Sequence, residues 1–422
     1  MQSRTEILAS EFCSSVRDGT HDSPKEVLSG GKPLVTTKHL KGGKIDFDKT
    51  YNISEEDFDK INKRSKVDKW DVLISMIGTV GEIYLVEEEP DYAIKNLGLF
   101  KVGDELNSKW LYFYLKSKLG QNQIRFLLQG STQQYISLTS LREFPIFVPN
   151  DDKEKQKVIN ILSALESKIE LNQKMNETLE EIAKTLFKSW FIDFDPVRAK
   201  AEGRPTGLSK EISDLFPDSF EDPELGEIPR GWRADCLQNI VECFDSKRIP
   251  LSKKSRQERV GIYPYYGATS IIDYVDDYLF DDELVFIGED GSVERDDGTP
   301  FVQFINDKCW VNNHAHVLKA KDQFSNFYIY IFLNQVKIGP YVTGAVQKKI
   351  NQTNLFSIPV IIPDKKILKA FNSITDPLKD KIFLNSKESD VLSSIRDTLL
   401  PKLISGELKI SDAENFIHGA GV

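Results

Sequence analysis

The stretch LQGSTQQYISLTSLREFPIFVP, Leu128 to Pro149, recurs in the same chain as VTGAVQKKINQTNLFSIPVIIP, Val342 to Pro363. Aligned without a gap, Gly130, Gln133, Ile136, Thr139, Leu141, Pro145 and Pro149 fall on Gly344, Gln347, Ile350, Thr353, Leu355, Pro359 and Pro363, an offset of 214 residues. An internal repeat governs architecture before any motif does, because each copy must fold as the same unit. This repeat extends both ways. Upstream, MIGTVG (Met76 to Gly81) falls on FIGEDG (Phe286 to Gly291), Asn96 on Asn313, and SKWLYFYL (Ser108 to Leu115) on SNFYIYIF (Ser325 to Phe332). Downstream, Leu165, Ile169, Asn172, Leu179 and Leu186 fall on Leu378, Ile382, Asn385, Leu392 and Leu399. The chain reads as two copies of one unit.

Each copy has two parts. The first holds short β-branched and aromatic runs such as DVLISMI, FPIFV, DELVFI and IPVII, broken by Gly, Pro, Asn and Asp, which predicts strand-dominated mixed domains. The second, Lys153 to Phe191 and Lys365 to Leu403, has a narrow apolar stripe at helical spacing and no internal Gly. Ile159, Leu162, Leu165, Ile169, Leu179, Ile182 and Leu186 form the stripe, and Pro377 is expected to kink the second helix. A helix of about 39 residues is about 58 Å long, too long for one small domain to cover. Its natural partner is its duplicate, and a pseudo-two-fold axis requires the two to run antiparallel. The expected fold is α+β: two pseudo-symmetric globular domains separated by a long antiparallel two-helix coiled coil. Its expected parts are 1–150 and 232–363 for the globular domains, 151–195 and 364–409 for the helices, 196–231 for a linker and 410–422 for a tail. Asn172 and Asn385 lie at the two helix midpoints, where a seam Asn fixes register.

At 422 residues the chain exceeds the size of a single core, in keeping with two domains. No run of about 18 apolar residues exists and MQSRTEILASEF lacks a signal-peptide core, so a soluble cytoplasmic protein away from membranes is expected. Cys13, Cys236, Cys243 and Cys309 show no CxxC spacing, which points to reduced thiols rather than zinc or disulfides. No catalytic signature survives inspection. Gly30-Gly31-Lys32 runs into Pro33 rather than a P-loop Ser or Thr, and neither HExxH nor GxSxG occurs. His314 and His316 read as strand residues rather than metal ligands, and Asp364 as the acid that opens a helix. Neither a catalytic residue, a metal nor a cofactor is expected in this chain.

The net charge of -10 does not advertise a polyanion binder, so charge is read locally. SKRIPLSKKSRQERVGIYPYYGATS (Ser246 to Ser270) carries Lys247, Arg248, Lys253, Lys254, Arg256 and Arg259, followed by Tyr263, Tyr265 and Tyr266. Cations beside aromatics suit phosphate and sugar or base contact, the alternative being a solvated loop. Lys38, Lys41 and Lys44 supply an expected counterpart in the first copy. In the repeated loops, Gly130, Ser131, Thr132, Gln133, Gln134 and Tyr135 face Gln347, Lys348, Lys349 and Asn351. Gln and Asn pair with adenine edges, and Lys reaches phosphate or guanine.

LFKSWFIDFDPVRAKAEGRP (Leu186 to Pro205), LFPDSFEDPELGEIPRGW (Leu215 to Trp232), RDGTHDSP near the start and LLPKLISGEL near the end resemble the specificity subunit of type I restriction-modification systems. The likeness covers almost all of the chain. It implies two target recognition domains that read a bipartite, asymmetric double-stranded DNA site with an unread spacer. It also implies no active site of the chain's own. Two modification subunits would supply S-adenosylmethionine-dependent adenine methylation. Restriction subunits would supply ATP- and Mg-dependent translocation and cleavage. Within this resemblance Thr20, His21, Thr79, Glu289 and Ser292 join the DNA-facing candidates. Many relatives carry a basic residue where Ile287 to Gly291 is acidic, and Glu289 there could accept from a cytosine amino group. The competing readings are a recognition subunit of another phage-defence methyltransferase and a coiled-coil scaffold with two protein-binding heads.

Overall fold

The computed structural model describes residues 4–130, 133–221, 227–344 and 347–419, and in it the repeat of sequence is a repeat of sheets. The chain divides into a first unit, up to Asn172 and again from Lys387, and a second unit, Gln173–Ser386. The first unit holds β1 (Arg4–Leu8), β2 (Ser15–Asp18), β3 (Lys32–Thr36), β4 (Leu40–Lys41), β5 (Lys44–Ile45), β6 (Tyr51–Ile53), β7 (Val72–Ser75), β8 (Ile83–Leu85), β9 (Ala93–Lys95), β10 (Leu97–Lys101) and β11 (Pro145–Pro149). The second holds β12 (Phe220–Glu221) and β13 (Ile228–Pro229) in the linker. There follow β14 (Arg233–Cys236), β15 (Val241–Cys243), β16 (Val260–Tyr266), β17 (Ile271–Val275), β18 (Leu284–Gly288), β19 (Val302–Ile305), β20 (Trp310–Val311), β21 (Ala315–Ala320) and β22 (Pro359–Ile362).

Three sheets of the first unit recur strand for strand in the second. The order β2-β10-β7-β8 matches β15-β21-β18-β19, β6-β3-β9 matches β17-β16-β20, and the pair β1-β11 matches β14-β22. Even the parallel pairings correspond, β3 with β9 and β16 with β20. The continuous apolar run of β7 is buried along its whole length, as is that of β18, so each forms the covered middle of its sheet.

The structure corrects two registers, one of them by a single residue: Leu97 and Ala315 hold equivalent strand positions, so Asn96 corresponds to His314 rather than Asn313. Ile136 N–H donates to Met76 O and Ile350 N–H to Glu289 O, both at 2.9 Å. Ile136 and Ile350 are equivalent, so Met76 corresponds to Glu289, not to Phe286, a slip of three residues. Both strings carry Gly-x-x-Gly, so the sequence match sets Gly78 on Gly288 and Gly81 on Gly291, whereas the structural register keeps only Gly78 on Gly291. In the corrected register Ile74 corresponds to Ile287, and their cross-strand partners Gly98 and His316 occupy the same place.

The first long helix runs Asp152–Phe191 and the second Lys365–Ser405, the latter continuing through Pro377. Their starts are set by equivalent acids. Asp151 accepts from Lys153 N–H at 2.9 Å, and Asp364 from Lys366 N–H at 2.7 Å. In the first unit, Glu166 approaches Arg396 at 3.9 Å and Lys168 approaches Glu388 at 3.2 Å. In the second unit, Asn176 donates to Ile382 O at 3.2 Å and Phe187 packs on Phe371 with ring centroids 6.0 Å apart. Within each unit the numbering of one helix rises as the other falls, so the pairing is antiparallel.

Leu165, Ile169, Leu392 and Leu399 are core residues of the first unit, whereas Leu186, Leu378 and Ile382 pack at the margin of the second unit's core and Leu179 is half-buried. Ile182, expected on the stripe, is exposed, and its place is taken by Ala183, Phe187 and Trp190. A 3.6-residue turn drifts against a straight stripe, and the second unit recruits the face that meets its aromatic core. Asn172 and Asn385 are each 1% exposed. Asn172 donates to Glu388 at 2.8 Å, and Asn385 donates to Asn176 at 2.9 Å.

Residues beyond the second helix form a further helix, Ile410–Gly419, with Ala413 buried and Leu408, Ile410 and Ile417 against the first unit's core. Its counterpart after the first long helix is Asp195–Ala201, whose Val197 is buried in the second unit. The two buried thiols, Cys13 and Cys309, are pushed up to about 12, mainly by desolvation, so both are protonated core groups.

Phe187 touches the rings of Phe191, Tyr328, Phe332 and Phe371. Phe187→Ala is expected to cost about 3 to 5 kcal/mol, read as a lower urea midpoint. Leu171→Ala, at an exposed position on the same helix, should stay within about 0.5 kcal/mol.

Candidate nucleic-acid interface

The two repeated loops are built alike from the backbone outward. In the first, Gln129 and Tyr135 bridge, closing a loop around Gly130; in the second, Thr343 and Lys349 bridge around Gly344. Both glycines are left-handed, with φ of 87° and 90°. A Cβ would lie 2.3 Å from Gln133 O in one and 2.1 Å from Gln347 O in the other, so only glycine fits. After each loop a buried isoleucine anchors the chain, and a capping side chain starts a short helix. Ser137 accepts from Ser140 N–H at 3.0 Å and Asn351 from Asn354 N–H at 2.9 Å.

This frame presents Gln133, Gln134 and Tyr135 to solvent in the first unit and Gln347, Lys348 and Lys349 in the second. Ser131 and Thr132 lie outside the described residues. Lys348 is paired with Glu294 at 2.6 Å and Lys349 with Glu289 at 3.0 Å. Asn351 spends its side-chain oxygen on the cap, which gives it a scaffolding role.

Of the first unit's candidates, only His21 lines a basic groove that the sequence did not disclose. Arg17, Asp18, His21, Lys63, Arg64, Leu138 and Arg142 line an open space of about 650 Å³. His21 reaches Asp18 at 2.9 Å and Asn96 at 3.0 Å. Asp18 also holds Arg64. Four cations against one carboxylate make the groove basic, and Leu138 lies three residues beyond Tyr135, where the Gly130 loop closes. Lys63 and Arg64 sit on the helix Glu55–Ser65, far in sequence from Arg142, which is why no linear charge cluster marked them. Thr20 and Thr79 are in part or fully exposed. Lys38, Lys41 and Lys44 are exposed around the β4–β5 hairpin.

In the second unit Lys253 and Lys254 are exposed on the helix Lys253–Glu258, and Lys247 is exposed over the Phe244 ring. This basic stretch precedes β16, whereas Lys38, Lys41 and Lys44 follow β3, the strand equivalent to β16. The two stretches are therefore not counterparts. Arg256 donates to Asp273 at 3.0 Å and Leu251 O at 2.8 Å, lying over the Tyr265 ring. Tyr265 is 1% exposed with its hydroxyl on Leu251 N–H. Both act inside the domain. Tyr263 and Tyr266 are half-buried, against Tyr278 and Phe286, and Ser292 is exposed.

Glu289 has a different setting from the free acceptor expected. Burial pushes its carboxyl up, but hydrogen bonds from Arg248 at 2.6 Å and Lys349 hold it below the usual range. Asp245, Glu289 and His316 place ligand atoms within 4.8 Å of one another. Arg248 contacts both carboxylates, neutralising the charge a cation would need. His314 pairs with Asp290 instead of joining His316.

The model of the type I restriction modification DNA specificity domain matches residues 10–181 and 229–393, one match in each copy of the repeat. The chain belongs to this family. It is a specificity subunit of a type I restriction-modification system, the component that recognises DNA and carries no catalytic centre. It is 29% identical over 315 residues to the MjaIX specificity subunit of Methanocaldococcus jannaschii, covering 73% of this chain and 71% of that one. It is 25% identical over 409 residues to the HindI specificity subunit of Haemophilus influenzae, covering 82% and 88%. The S subunit of the type I system from M. genitalium superposes with a TM-score of 0.53 at 17% identity, covering 95% and 96%, and shares the fold. No helix among the described residues is long and apolar enough to cross a membrane.

If the exposed lysines neutralise phosphates, Lys247→Ala, Lys253→Ala and Lys254→Ala together should flatten the dependence of log K on log salt by about 0.9 per contact. Lys63→Ala should do the same in the first unit. Sequence preference should not change in either case, and titration at several salt concentrations measures both.

Proposed function

We propose that each unit reads one half of a bipartite, asymmetric double-stranded DNA site through its own glycine-framed loop. The observation that carries this reading is the identity of the two frames and the difference of what they display: Gln133 and Gln134 in one, Gln347, Lys348 and Lys349 in the other. Equal backbones place side chains equally, and unequal side chains select unequal bases. Two modification subunits dock on the long helices and bring S-adenosylmethionine; restriction subunits bring ATP and Mg. The assembly works in the cytoplasm, where its DNA is.

Gln133→Ala is expected to relax one half-site by about 1 to 3 kcal/mol if the contact is bidentate, and Gln347→Ala the other. Binding selection with each variant in complex with the modification subunit measures it; unchanged preference in both would sink the proposal. A scaffold with two protein-binding heads predicts no sequence-dependent retention on DNA at all.

The paired helices serve in this reading as a ruler. Seven residues inserted after Asn172 and seven after Asn385 preserve the heptad phase and add about 10.5 Å. The preferred spacer should lengthen by about 3 base pairs. A folded double insertion that selects the original spacer would separate helix length from spacer choice.

A further inference from the structure

We propose that His316 is a positioning residue for the second unit's reading loop, fixing it through an imidazole whose two nitrogens both donate. The ring is 1% exposed. Its Nδ1 lies 2.6 Å from Asp245 Oδ2 and its Nε2 lies 2.9 Å from the carbonyl oxygen of Ile350. A carbonyl only accepts. Asp245 also accepts from Val317 N–H at 2.9 Å and faces Arg248 at 3.5 Å. Burial pushes the Asp245 carboxyl up, but His316, Val317 N–H and Arg248 bring it below the usual range, so it is ionised and likewise only accepts. A ring between two acceptors satisfies both only by carrying hydrogen on both nitrogens.

What this ring holds is the residue that closes the loop. Ile350 is fully buried, its N–H donates to Glu289 O at 2.9 Å and its carbonyl accepts from His316. One residue earlier, Lys349 reaches the Glu289 carboxylate, which Arg248 also grips. The charged groups facing His316 are thus Asp245 and Arg248 from the segment after β15, Glu289 from the end of β18 and Lys349 from the loop, with the Asp290–His314 pair next to them. Together they tie the loop's exit to the middle of the main sheet.

The first unit has no such tether from this position. Gly98 stands where His316 does, opposite Ile74 and Asp18, as His316 is opposite Ile287 and follows on from the Cys243–Leu318 pair toward Asp245. The corresponding acids are kept, Asp18 and Asp245, but Asp18 spends its oxygens on His21 and Arg64. The role of His316 is therefore confined to one half of the site, and the other half is a control within the same molecule.

The inference rests on the reading that the loop contacts DNA, and the experiment separates the two. The full chain in complex with its modification subunit is titrated with DNA selected by the unsubstituted complex, and with versions scrambled in one half-site or the other. His316→Leu is expected to reduce discrimination at the second half-site by about tenfold or more, with discrimination at the first unchanged. Asp245→Asn, which keeps the ring but removes its ionised partner, should act in the same direction and supplies the test where the leucine variant does not fold. Nitrogen-15 spectra of histidine-labelled complex should show both ring nitrogens of His316 protonated, a signature that a merely space-filling ring would not give. Loss of discrimination in Gln347→Ala with none in His316→Leu would overturn the positioning role and leave the loop reading intact. No loss in either would overturn both. A bare ring nitrogen at His316 would contradict the clamp directly.

Discussion

Each head of this protein is closed by a half-helix that the other copy of the repeat supplies. Leu392, Ile395 and Leu399, from the second copy, lie in the core of the first unit beside Leu162, Leu165 and Ile169. Ala183, Phe187 and Trp190, from the first copy, lie in the core of the second unit beside Ile367, Leu368 and Phe371. Each such Leu, Ile or Phe side chain contributes about 1.5 to 3 kcal/mol by leaving water. Each unit's core is thus built from both copies of the repeat. The ends of the chain join the same arrangement: Arg4 donates to Ile404 O at 3.0 Å and Leu403 O at 2.9 Å within the first unit.

On that support the two glycine-framed loops are almost all backbone constraint. A left-handed glycine, a bridging pair and a buried isoleucine fix the path, and the displayed side chains are free to differ. The electrostatics follow the same division. Cations with structural duties, such as Arg256 and Arg248, are committed to carboxylates inside the domain, while Lys63, Lys247, Lys253 and Lys254 stand exposed. Against an overall charge of -10, this exposed positive charge stands at a few places.

Much of this was legible in the sequence because it depends on local pattern. The repeat, the two helices, Asp364 as the acid that opens the second, and the seam positions of Asn172 and Asn385 follow from spacing alone. The three-residue slip that sets Met76 against Glu289 rather than Phe286 was not legible, since the two-glycine match favours the other register, and the hydrogen bond from the residue after the loop resolves it. The basic groove was not legible because Arg17, Lys63, Arg64 and Arg142 come together by tertiary folding. Tyr265 and Arg256 read as contacts because exposure cannot be told from residue type, and packing gives them to the interior. His316 read as an ordinary strand residue. The strand is real, but the ring's two acceptors come from segments 71 and 34 residues away.

The central claim is that two related units make two separate readings. Selection from randomised double-stranded DNA by the chain in complex with its modification subunit tests it most directly. The account predicts a site of two short specified segments, different in sequence, separated by a gap of fixed length and no base preference. A single uninterrupted site, or no selection of sequence, would contradict it.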